Sequence, residues 1–542
     1  MTEQVSDRIQ WNVLAGMGIL ILFMAFIVVK DFSIPSQLII AVGAVGGLAL
    51  LFVSPTHPEI PFYLLTAYIP FNRILPGDFG GTFALNLTNL LCGLVILGGF
   101  SRSAREGRFW QKASLNLPIL LFVCLGTISL VRGSYEYGTW YLMQFITPLK
   151  RWLTSPFLYF LTLFVVRDKR TLKTAVVIMM VCVTVVGLMA IREYIEEGSG
   201  SSIEADRIGG IAEQPNMLAA FFCYYMFILA SFYLCNMSKP RYWLLLIPFL
   251  ICFRGIQVTF SRGGYLAFLA GAMALSFFRS KLLFALVIVA LILAFLHPAL
   301  LPKGIAYRFF STFKNVEEVE EEMRLEGNPS QEENLGQVAA DIYKGEGGTL
   351  DRSAQSRLEI WRGALRMISD YPFWGTGYGT FFSFIPFYTP ELHGMQMDAH
   401  NSYLIVAAEM GIPALLAFLS ILLVAIWQSY RLYQTAKDPF IKAMALGFLA
   451  GLFGLFIANM FGSRMDHEEI SGYFWVLCAL VMRGIVLEKG VEPAVVRVAS
   501  KRKAVSARRA ARGGAVVPRS LSGSLRRFDE LKYGKAQSSL SD

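Results

Sequence analysis

Residues 398–411 read DAHNSYLIVAAEMG, and they stand where a long polar segment gives way to a long apolar one. Four polar side chains, one of them a histidine, come before the apolar residues. The apolar run is long enough to cross a hydrocarbon core, so the polar group is expected at the mouth of a transmembrane helix. The rest of the chain is then expected to carry other charged residues to the same mouth.

The composition places the chain in a membrane, since its 542 residues are 55% hydrophobic and only 16% charged. The apolar runs are continuous and do not alternate with polar residues, which predicts helices and not a barrel. We predict an all-α polytopic membrane protein with a transmembrane domain at 1–487 and about fourteen (twelve to fourteen) transmembrane helices. The predicted spans are 11–30, 36–54, 59–75, 84–101, 115–132, 147–166, 173–192, 215–236, 241–258, 263–279, 281–299, 400–430, 440–461 and 468–487.

Basic residues in the short loops predict how the chain crosses the membrane. Loops 102–114 and 167–173 each carry four Lys or Arg residues, and the tail at 488–542 has 13 Lys+Arg against 5 Asp+Glu. With fourteen spans, all the basic loops and the tail fall on one side, which is cytoplasmic by the positive-inside rule. Both termini are therefore predicted inside. The tail is expected to be disordered and to bind anionic lipid at the inner leaflet.

The largest segment on the other side is a loop at about 300–399, with 15 Asp+Glu and 9 Lys+Arg. Its residues 316–346 are acidic and rich in polar residues, which predicts a mobile loop. A helix is predicted at about 353–369, lying on the outer membrane surface or capping the bundle. The expected apolar stripe of this helix is Leu358, Trp361, Leu365 and Ile368. Residues 371–379 follow, with a proline and three alternate glycines, and predict a tight loop.

The predicted topology brings four distant residues to the same outer face: Arg207, Arg262, Arg357 and His400. Arg262 lies between two spans that have almost no loop, so it is expected at the bilayer boundary. A charged residue there is a candidate functional residue, and a planar guanidinium suits phosphate oxygens. The alternatives are that Arg262 reaches lipid phosphate and that His400 only hydrogen-bonds at the start of its helix.

Other site types have less support. Residues 466–469 read DHEE on a short outer turn, for which a solvated turn is favoured over a divalent-ion site. The seven cysteines fall in or at apolar segments, so neither a disulfide framework nor a zinc site is expected. The sequence contains no Asp-x-Asp pair, no Walker loop and no dinucleotide fingerprint, so no metal or cofactor is expected.

Four blocks of residues resemble the O-antigen ligase and O-antigen polymerase superfamily of bacteria. They occur in the family's order and together cover about residues 205–412. The blocks are Arg207-Ile208-Gly209-Gly210 with Pro215-Asn216, then Thr259 to Gly264, then Arg357 with Trp361 and the glycine loop, and finally His400 to Leu404 with Glu409 and Gly411.

The resemblance implies a membrane-embedded glycosyltransferase-like fold in the bacterial inner membrane, working without metal. The implied donor is a glycan on undecaprenyl pyrophosphate, and the reaction takes place at the periplasmic face. The implied acceptor is a sugar hydroxyl, on a second lipid-linked glycan in a polymerase or on lipid A core in a ligase. Polysaccharide assembly proteins are possible partners, and no nucleic acid is expected.

The chemistry of the residues fits this implied reaction. Arginines stabilise the charge that develops on a pyrophosphate leaving group, and an imidazole can take the proton of the acceptor hydroxyl. Arg207, Arg262 and Arg357 are therefore assigned to the donor pyrophosphate, and His400 is assigned as the catalytic base. The supporting residues are expected to be Asn216, Ser261, Asn401, Tyr403 and Glu409.

Two other functions are weighed against glycosyl transfer. The outer arginines would also suit a transporter of an anion such as bicarbonate, although no repeated halves or mid-membrane charge pair support it. A non-catalytic scaffold that uses the basic tail is the third reading. Between polymerase and ligase, a polymerase of exopolysaccharide or O-antigen is slightly favoured.

Overall fold

The computed structural model describes residues 47–74, 86–107, 111–197, 207–297, 352–392 and 397–490. Predicted span 11–30, most of span 36–54, the acidic segment 316–346 and the basic tail from residue 491 lie outside these ranges. The chain divides into two units, Met1–Lys489 and Gly490–Asp542.

The first unit is built from α-helices, which we number within the described ranges. The first nine are α1 Glu59–Tyr68, α2 Leu87–Glu106, α3 Asn116–Tyr137, α4 Thr139–Val165, α5 Lys169–Glu197, α6 Pro215–Cys235, α7 Leu246–Val258, α8 Arg262–Arg279 and α9 Lys281–Leu296. The others are α10 Arg352–Asp370, α11 Phe381–Tyr388, α12 Ser402–Met410, α13 Ile412–Thr435, α14 Pro439–Ala458 and α15 Glu468–Glu488. Short 3₁₀ turns occupy Ile69–Phe71, Gly210–Ala212, Pro240–Leu245 and Pro390–Leu392.

Eight helical stretches in the described part of the chain are long and apolar enough to cross a membrane. Seven of them are α2, α3, α5, α6, α13, α14 and α15. The eighth is the continuous stretch Pro240–Val258, which includes α7. A polytopic helical membrane protein is therefore confirmed. The helices α4 and α8 match two more predicted spans in position, and α9 is a shorter apolar helix.

Two predicted spans are not single long helices in the structure. The predicted span 59–75 contains only the ten-residue helix α1 and the 3₁₀ turn Ile69–Phe71, because Pro61, Pro70 and polar residues interrupt the apolar run. The predicted span 400–430 is two helices, α12 and α13, which meet at Gly411.

The centre of the bundle is formed by α6 and α14. In α6 every residue from Leu218 to Phe232 is buried, and α14 is almost as enclosed. Close packing of the two helices depends on glycines in α14. A side-chain carbon at Gly451 would lie 2.1 Å from the carbonyl oxygen of Tyr224, and one at Gly447 would lie 2.5 Å from Cα of Ile228. Small residues of this kind allow helix backbones to approach within a membrane.

The helix α10 packs on the protein through a row of residues beside the predicted apolar stripe. Ile360, Ala364 and Met367 are buried with residues of α11 and α12, whereas Leu358 and Leu365 are 40% and 58% exposed. Spacings of three and four residues fit both faces, since the two rows lie side by side on the helix. The contact with α11 and α12 selects the row that packs on the protein, and Leu358 and Leu365 remain exposed beside it.

The loop 371–379 is as tight as predicted, and all three of its glycines have positive φ. Its backbone is bonded to the end of α12. The amide of Thr376 donates to the carbonyl of Ala408 at 2.8 Å, and the amide of Gly377 donates to the carbonyl of Glu409 at 3.0 Å. The loop therefore fixes the position of α10 against α12.

Candidate active site

Arg207 lies across the start of α6 and the end of α7. Its Nη2 donates to Oδ1 of Asn216 at 3.0 Å, and its Nε donates to the carbonyl of Thr259 at 3.2 Å. The next amide, of Ile208, donates to the carbonyl of Val258 at 3.3 Å. These bonds fix the chain around Arg207 beside the connection between α7 and α8.

Asn216 joins Arg207 to the start of α8. Its Oδ1 also accepts a hydrogen bond from Oγ of Ser261 at 2.7 Å. Ser261 caps α8, because its Oγ accepts from the amide of Gly264 at 3.2 Å. Arg262 is the first residue of that helix and is half-buried. We call Arg207, Asn216, Ser261 and Arg262 the arginine group.

The arginine group is suited to an anion. It combines two guanidinium groups with the N-terminus of an 18-residue helix, whose free amides and dipole favour negative charge. All four residues were predicted site residues. The structure joins Arg207, Asn216 and Ser261 by hydrogen bonds, and Arg262 follows Ser261 at the start of α8. Asn216 and Ser261 orient the group, since the asparagine oxygen accepts from both neighbours.

His400 stands at the start of α12 in a left-handed backbone conformation, with φ of 48°. Its Nδ1 lies 3.2 Å from Oδ2 of Asp398, and both side chains are a little over one third exposed. When Nδ1 carries the proton shared with Asp398, Nε2 has a free lone pair and can act as a base. We call Asp398 and His400 the histidine pair.

The Asp398 carboxylate is held from its other side by Ser463. The Ser463 hydroxyl lies 2.9 and 3.0 Å from the two carboxylate oxygens. Burial acts to raise the pKa of Asp398, but the hydrogen bonds and charge of His400 and the bond from Ser463 lower the pKa below its ordinary value. Asp398 is therefore ionised at neutral pH and can stabilise a protonated imidazole.

Among the other predicted supporting residues, Asn401 stabilises the start of a helix. It caps α12, because its Oδ1 accepts from the amides of Tyr403 and Leu404 at 3.0 and 3.2 Å. This fixes the helix start directly after His400.

Tyr403 and Glu409 have no hydrogen bond to His400 among the described residues. The Tyr403 hydroxyl donates to the carbonyl of Phe456 at 2.9 Å, so Tyr403 points into the bundle and does not join the site. Glu409 is buried, and its Oε1 accepts from the amide of Phe381 at 3.0 Å. Glu409 therefore supports α11 and acts on the site only through the fold.

Sequence reasoning missed residues 459–464, which we call the connecting turn. The predicted span 440–461 extended into it, whereas α14 ends at Ala458. Its backbone holds the start of α12: the amide of Ser402 donates to the carbonyl of Asn459 at 2.9 Å, and its hydroxyl donates to the carbonyl of Gly462 at 2.8 Å. The polar residues of the turn were the available signal.

The connecting turn also contacts the arginine group. A side-chain carbon at Gly263 would lie 2.9 Å from Cβ of Phe461, so the first turn of α8 packs directly on that phenylalanine. The Phe461 ring lies 6.3 Å from the indole of Trp361, centroid to centroid. The arginine group and the histidine pair therefore share one wall.

Arg357 reaches this region through α10. The indole Nε1 of Trp361 donates to the carbonyl of Ala399 at 2.8 Å, next to His400. Arg357 is half-buried and lies four residues before Trp361, on the same side of the helix. The structure thus carries Arg357 to the side of the site that holds the histidine pair.

The prediction of a solvated turn at Asp466–Glu469 fits only Asp466, which is exposed. Glu468 and Glu469 are buried, each 7% exposed. Oε1 of Glu469 lies 3.4 Å from Nδ1 of His467 and 3.5 Å from Nη1 of Arg73, whose Nη2 is 2.9 Å from Glu213. These ion pairs tie the chain after Arg207 to the start of α15. In the described ranges, no three His, Cys, Asp or Glu side chains are grouped as metal ligands.

A comparison with models of protein families gives a match. Residues 247–419 match a family model described as O-antigen ligase. The matched segment contains Ser261, Arg262, Arg357 and His400, while Arg207 and the connecting turn lie on either side of it. No curated protein matched the chain. Residues 247–419 thus match the O-antigen ligase family, and the resemblance of the chain to the O-antigen ligase and polymerase superfamily is confirmed.

Proposed function

We propose that this protein transfers a glycan from undecaprenyl pyrophosphate to a sugar hydroxyl at the periplasmic face of the bacterial inner membrane. The observation that supports it best is the wall shared by the arginine group, which is suited to an anion, and the hydrogen-bonded histidine pair. The family match supports glycan transfer in polysaccharide biosynthesis.

The arginine group is assigned to the pyrophosphate of the donor. As the bond between the sugar carbon and the phosphate oxygen breaks, negative charge grows on the leaving pyrophosphate. Arg207, Arg262 and the N-terminus of α8 would stabilise that charge in the transition state, which is usually the largest electrostatic contribution to such a reaction. Arg357 is a third candidate, carried by α10. These cations would supply what a metal ion supplies in other glycosyltransferases.

His400 is assigned as the base. Its Nε2 takes the proton of the acceptor hydroxyl while the acceptor oxygen forms a bond to the sugar carbon and the pyrophosphate leaves. The proton stays on the imidazole, and the ionised Asp398 stabilises the resulting imidazolium. Direct attack in one step would invert the configuration at the sugar carbon.

The acceptor decides between a polymerase and a ligase. Both reactions use the same donor and the same two groups of residues, and they differ in the glycan that brings the hydroxyl. We favour polymerisation of exopolysaccharide or O-antigen units. Incubation with donor alone separates the two, because a polymerase forms longer lipid-linked glycans from it, whereas a ligase requires added lipid A core.

The test of the base is His400→Ala in purified protein. We expect transfer from a lipid-pyrophosphate glycan to fall by about 10²- to 10⁴-fold, the usual contribution of a general base. Binding of undecaprenyl pyrophosphate should remain, because the arginine group is intact. His57→Ala is the matched control, since His57 is exposed, pairs with Glu59 and has no part in either group.

Transfer at the wild-type rate by His400→Ala would exclude His400 as the base. Loss of transfer together with loss of donor binding would show instead that the residue only supports the fold. Equal losses in His57→Ala and His400→Ala would point to general damage from replacing histidine.

A further inference from the structure

Arg464 is a buried charge that neither the arginine group nor the histidine pair uses. Its side chain is among the largest fully buried ones, and the residue is only 1% exposed. It lies in the connecting turn, between α14 and α15. A guanidinium stays protonated in proteins, so this position keeps a full positive charge inside the molecule.

The partners of Arg464 are neutral. Its Nη1 donates to the carbonyl of Ala458 at 2.5 Å, and its Nη2 donates to the carbonyl of Phe461 at 3.1 Å. Its electrostatic contacts are with Tyr224 and Cys223, which are uncharged at neutral pH. Among the described residues, no carboxylate forms an ion pair with it, and its Nε lacks a hydrogen-bond acceptor.

A charge with only neutral partners is costly to bury. Desolvation of such an ion costs several kcal/mol even after the surroundings relax, and a structural role alone could be filled by a neutral donor. The two carbonyls belong to the end of α14 and to the turn after it, so the helix dipole offsets only part of the charge. The uncompensated part of the positive charge contributes to the electrostatic potential of the space around Arg464.

The neighbouring space is the candidate active site. The amide of Arg464 lies 3.3 Å from Oγ of Ser402, two residues after His400. The carbonyl that accepts from Nη2 belongs to Phe461, whose Cβ packs on Gly263 beside Arg262. Arg464 thus lies in the wall that the arginine group and the histidine pair share.

We propose that Arg464 is a buried cation that stabilises the bound pyrophosphate through space, without touching it. This proposal rests on the proposed function. The ligand is defined by its chemistry as a polyprenyl pyrophosphate, whose negative charge compensates the cation. Because Arg464 is enclosed, its effect is weakly screened by salt, unlike that of an exposed arginine.

The size of the effect depends on the charge of the ligand. A unit charge acting across about 10 Å at an effective dielectric constant of about 20 changes the affinity for a singly charged anion by roughly tenfold. The effect should be larger for a pyrophosphate and absent for an alcohol. A residue that only shapes the site would change the affinity for all three ligands by the same factor.

The experiment compares Arg464→Gln, Arg464→Lys and wild-type protein in binding undecaprenol, undecaprenyl phosphate and undecaprenyl pyrophosphate. Glutamine keeps hydrogen-bond donors without charge, and lysine keeps the charge. We expect Arg464→Gln to bind the alcohol as the wild type does, the phosphate about tenfold more weakly and the pyrophosphate more weakly still. Arg464→Lys should recover most of the difference.

Arg366→Gln is the control, because Arg366 is exposed on α10 and also donates to a carbonyl, that of Tyr388 at 3.2 Å. Its effect should be small for all three ligands. An equal loss for all three ligands in Arg464→Gln, or no loss for any, would overturn the proposal. If Arg464→Gln does not fold, a folded Arg464→Lys that no longer prefers pyrophosphate over the alcohol would overturn it.

The two proposals fail in different ways. Wild-type protein that does not prefer undecaprenyl pyrophosphate over undecaprenol would contradict the proposed function. A wild-type preference that Arg464→Gln fully retains would contradict only the role of Arg464.

Discussion

The Asp398 carboxylate lies between the imidazole of His400 and the hydroxyl of Ser463. His400 Nδ1 is 3.2 Å from one of its oxygens, and Ser463 is hydrogen-bonded to both. Asp398 therefore fixes the ring orientation of His400 and is expected to compensate its charge after proton transfer. Asp398 and His400 are two positions apart in the sequence, so their contact could be predicted from it. Ser463 follows Asp398 by 65 residues, so its contact with the carboxylate could not.

Asp398→Asn tests this arrangement. The amide keeps the shape but removes the charge that stabilises the imidazolium, so transfer should fall by about 10- to 100-fold with donor binding unchanged. Ser463→Ala should have a smaller effect of the same kind, because the carboxylate remains. The measurement is kcat and KM for transfer in each variant. A change in KM alone would contradict an effect on the chemical step.

The stability of the folded protein should depend on pH through the titration of His467. Burial acts to lower its pKa, but the hydrogen bond to Glu469 and the charge of Asp466 raise the pKa above the ordinary value of 6.5. The protonated ring thus stabilises the folded state fully below pH 6.5, and this stabilisation is lost as the pH rises through the folded-state pKa. His467→Gln should lose about 0.5–1 kcal/mol near pH 6 and less at high pH.

Thermal unfolding of the wild type and His467→Gln between pH 6 and 9 measures this difference. The two melting temperatures should converge as the pH rises. A constant difference across the range would show that the His467 charge has no part in the stability.

At the scale of helices, the break between α12 and α13 sets the position of the histidine pair. Gly411 has φ of 86°, and a side-chain carbon there would lie 2.2 Å from the carbonyl oxygen of Phe373. The amide of Ile412 donates to the carbonyl of Pro372 at 2.7 Å, so the loop 371–379 approaches the break closely. The apolar run 400–430 gave no signal of this break beyond the Gly-Ile-Pro sequence, since hydropathy does not register a backbone turn.

Gly411→Ala should be strongly destabilising, and Gly138→Ala is its matched control. Gly138 has nearly the same conformation, φ 87° and ψ 174° against φ 86° and ψ 170°, but a carbon there meets nothing within 4 Å. Alanine at Gly138 should cost only the backbone strain of this essentially glycine-only region, about 1–3 kcal/mol. Alanine at Gly411 should cost that strain plus the displacement of the loop. Equal melting temperatures for the two variants would contradict the packing argument.

The helix α10 was easier to predict than the face that it buries. The spacing of apolar residues located the helix, but Leu358 and Leu365 are exposed and Ile360, Ala364 and Met367 are buried. An alanine in the interface has little hydrophobic signal, although its small size is what allows α10 to approach its partners. Contacts between distant segments, and not the helix itself, select the face.

At the scale of the whole molecule, hydropathy was enough to predict a polytopic helical bundle, because apolar length is the dominant constraint on a membrane chain. Topology alone brought Arg207, Arg262 and His400 to one predicted face. The connecting turn could not be foreseen, because its role depends on contacts of Asn459, Phe461 and Ser463 with residues 57 to about 200 positions away. The wall of the site comes from tertiary packing.

The second unit, Gly490–Asp542, should be dispensable for catalysis. The site residues all lie in Met1–Lys489, and the tail is expected to bind anionic lipid through its basic residues. A chain ending after residue 490 should keep kcat and KM for transfer within about twofold, while its affinity for anionic vesicles should fall. Loss of transfer in a folded truncated chain would show that the tail has a direct part in the reaction.

Transfer by the purified wild-type protein in liposomes is the measurement that shows whether one site transfers a glycan from a lipid pyrophosphate. With a glycan on undecaprenyl pyrophosphate and a suitable acceptor, we predict a new glycosidic bond and release of undecaprenyl pyrophosphate in the presence of a metal chelator. The new bond and the release should both be lost in a double variant that combines Arg207→Gln and Arg262→Gln. Uptake of an anion by the same liposomes without any transfer, or transfer that persists without both arginines, would contradict the claim.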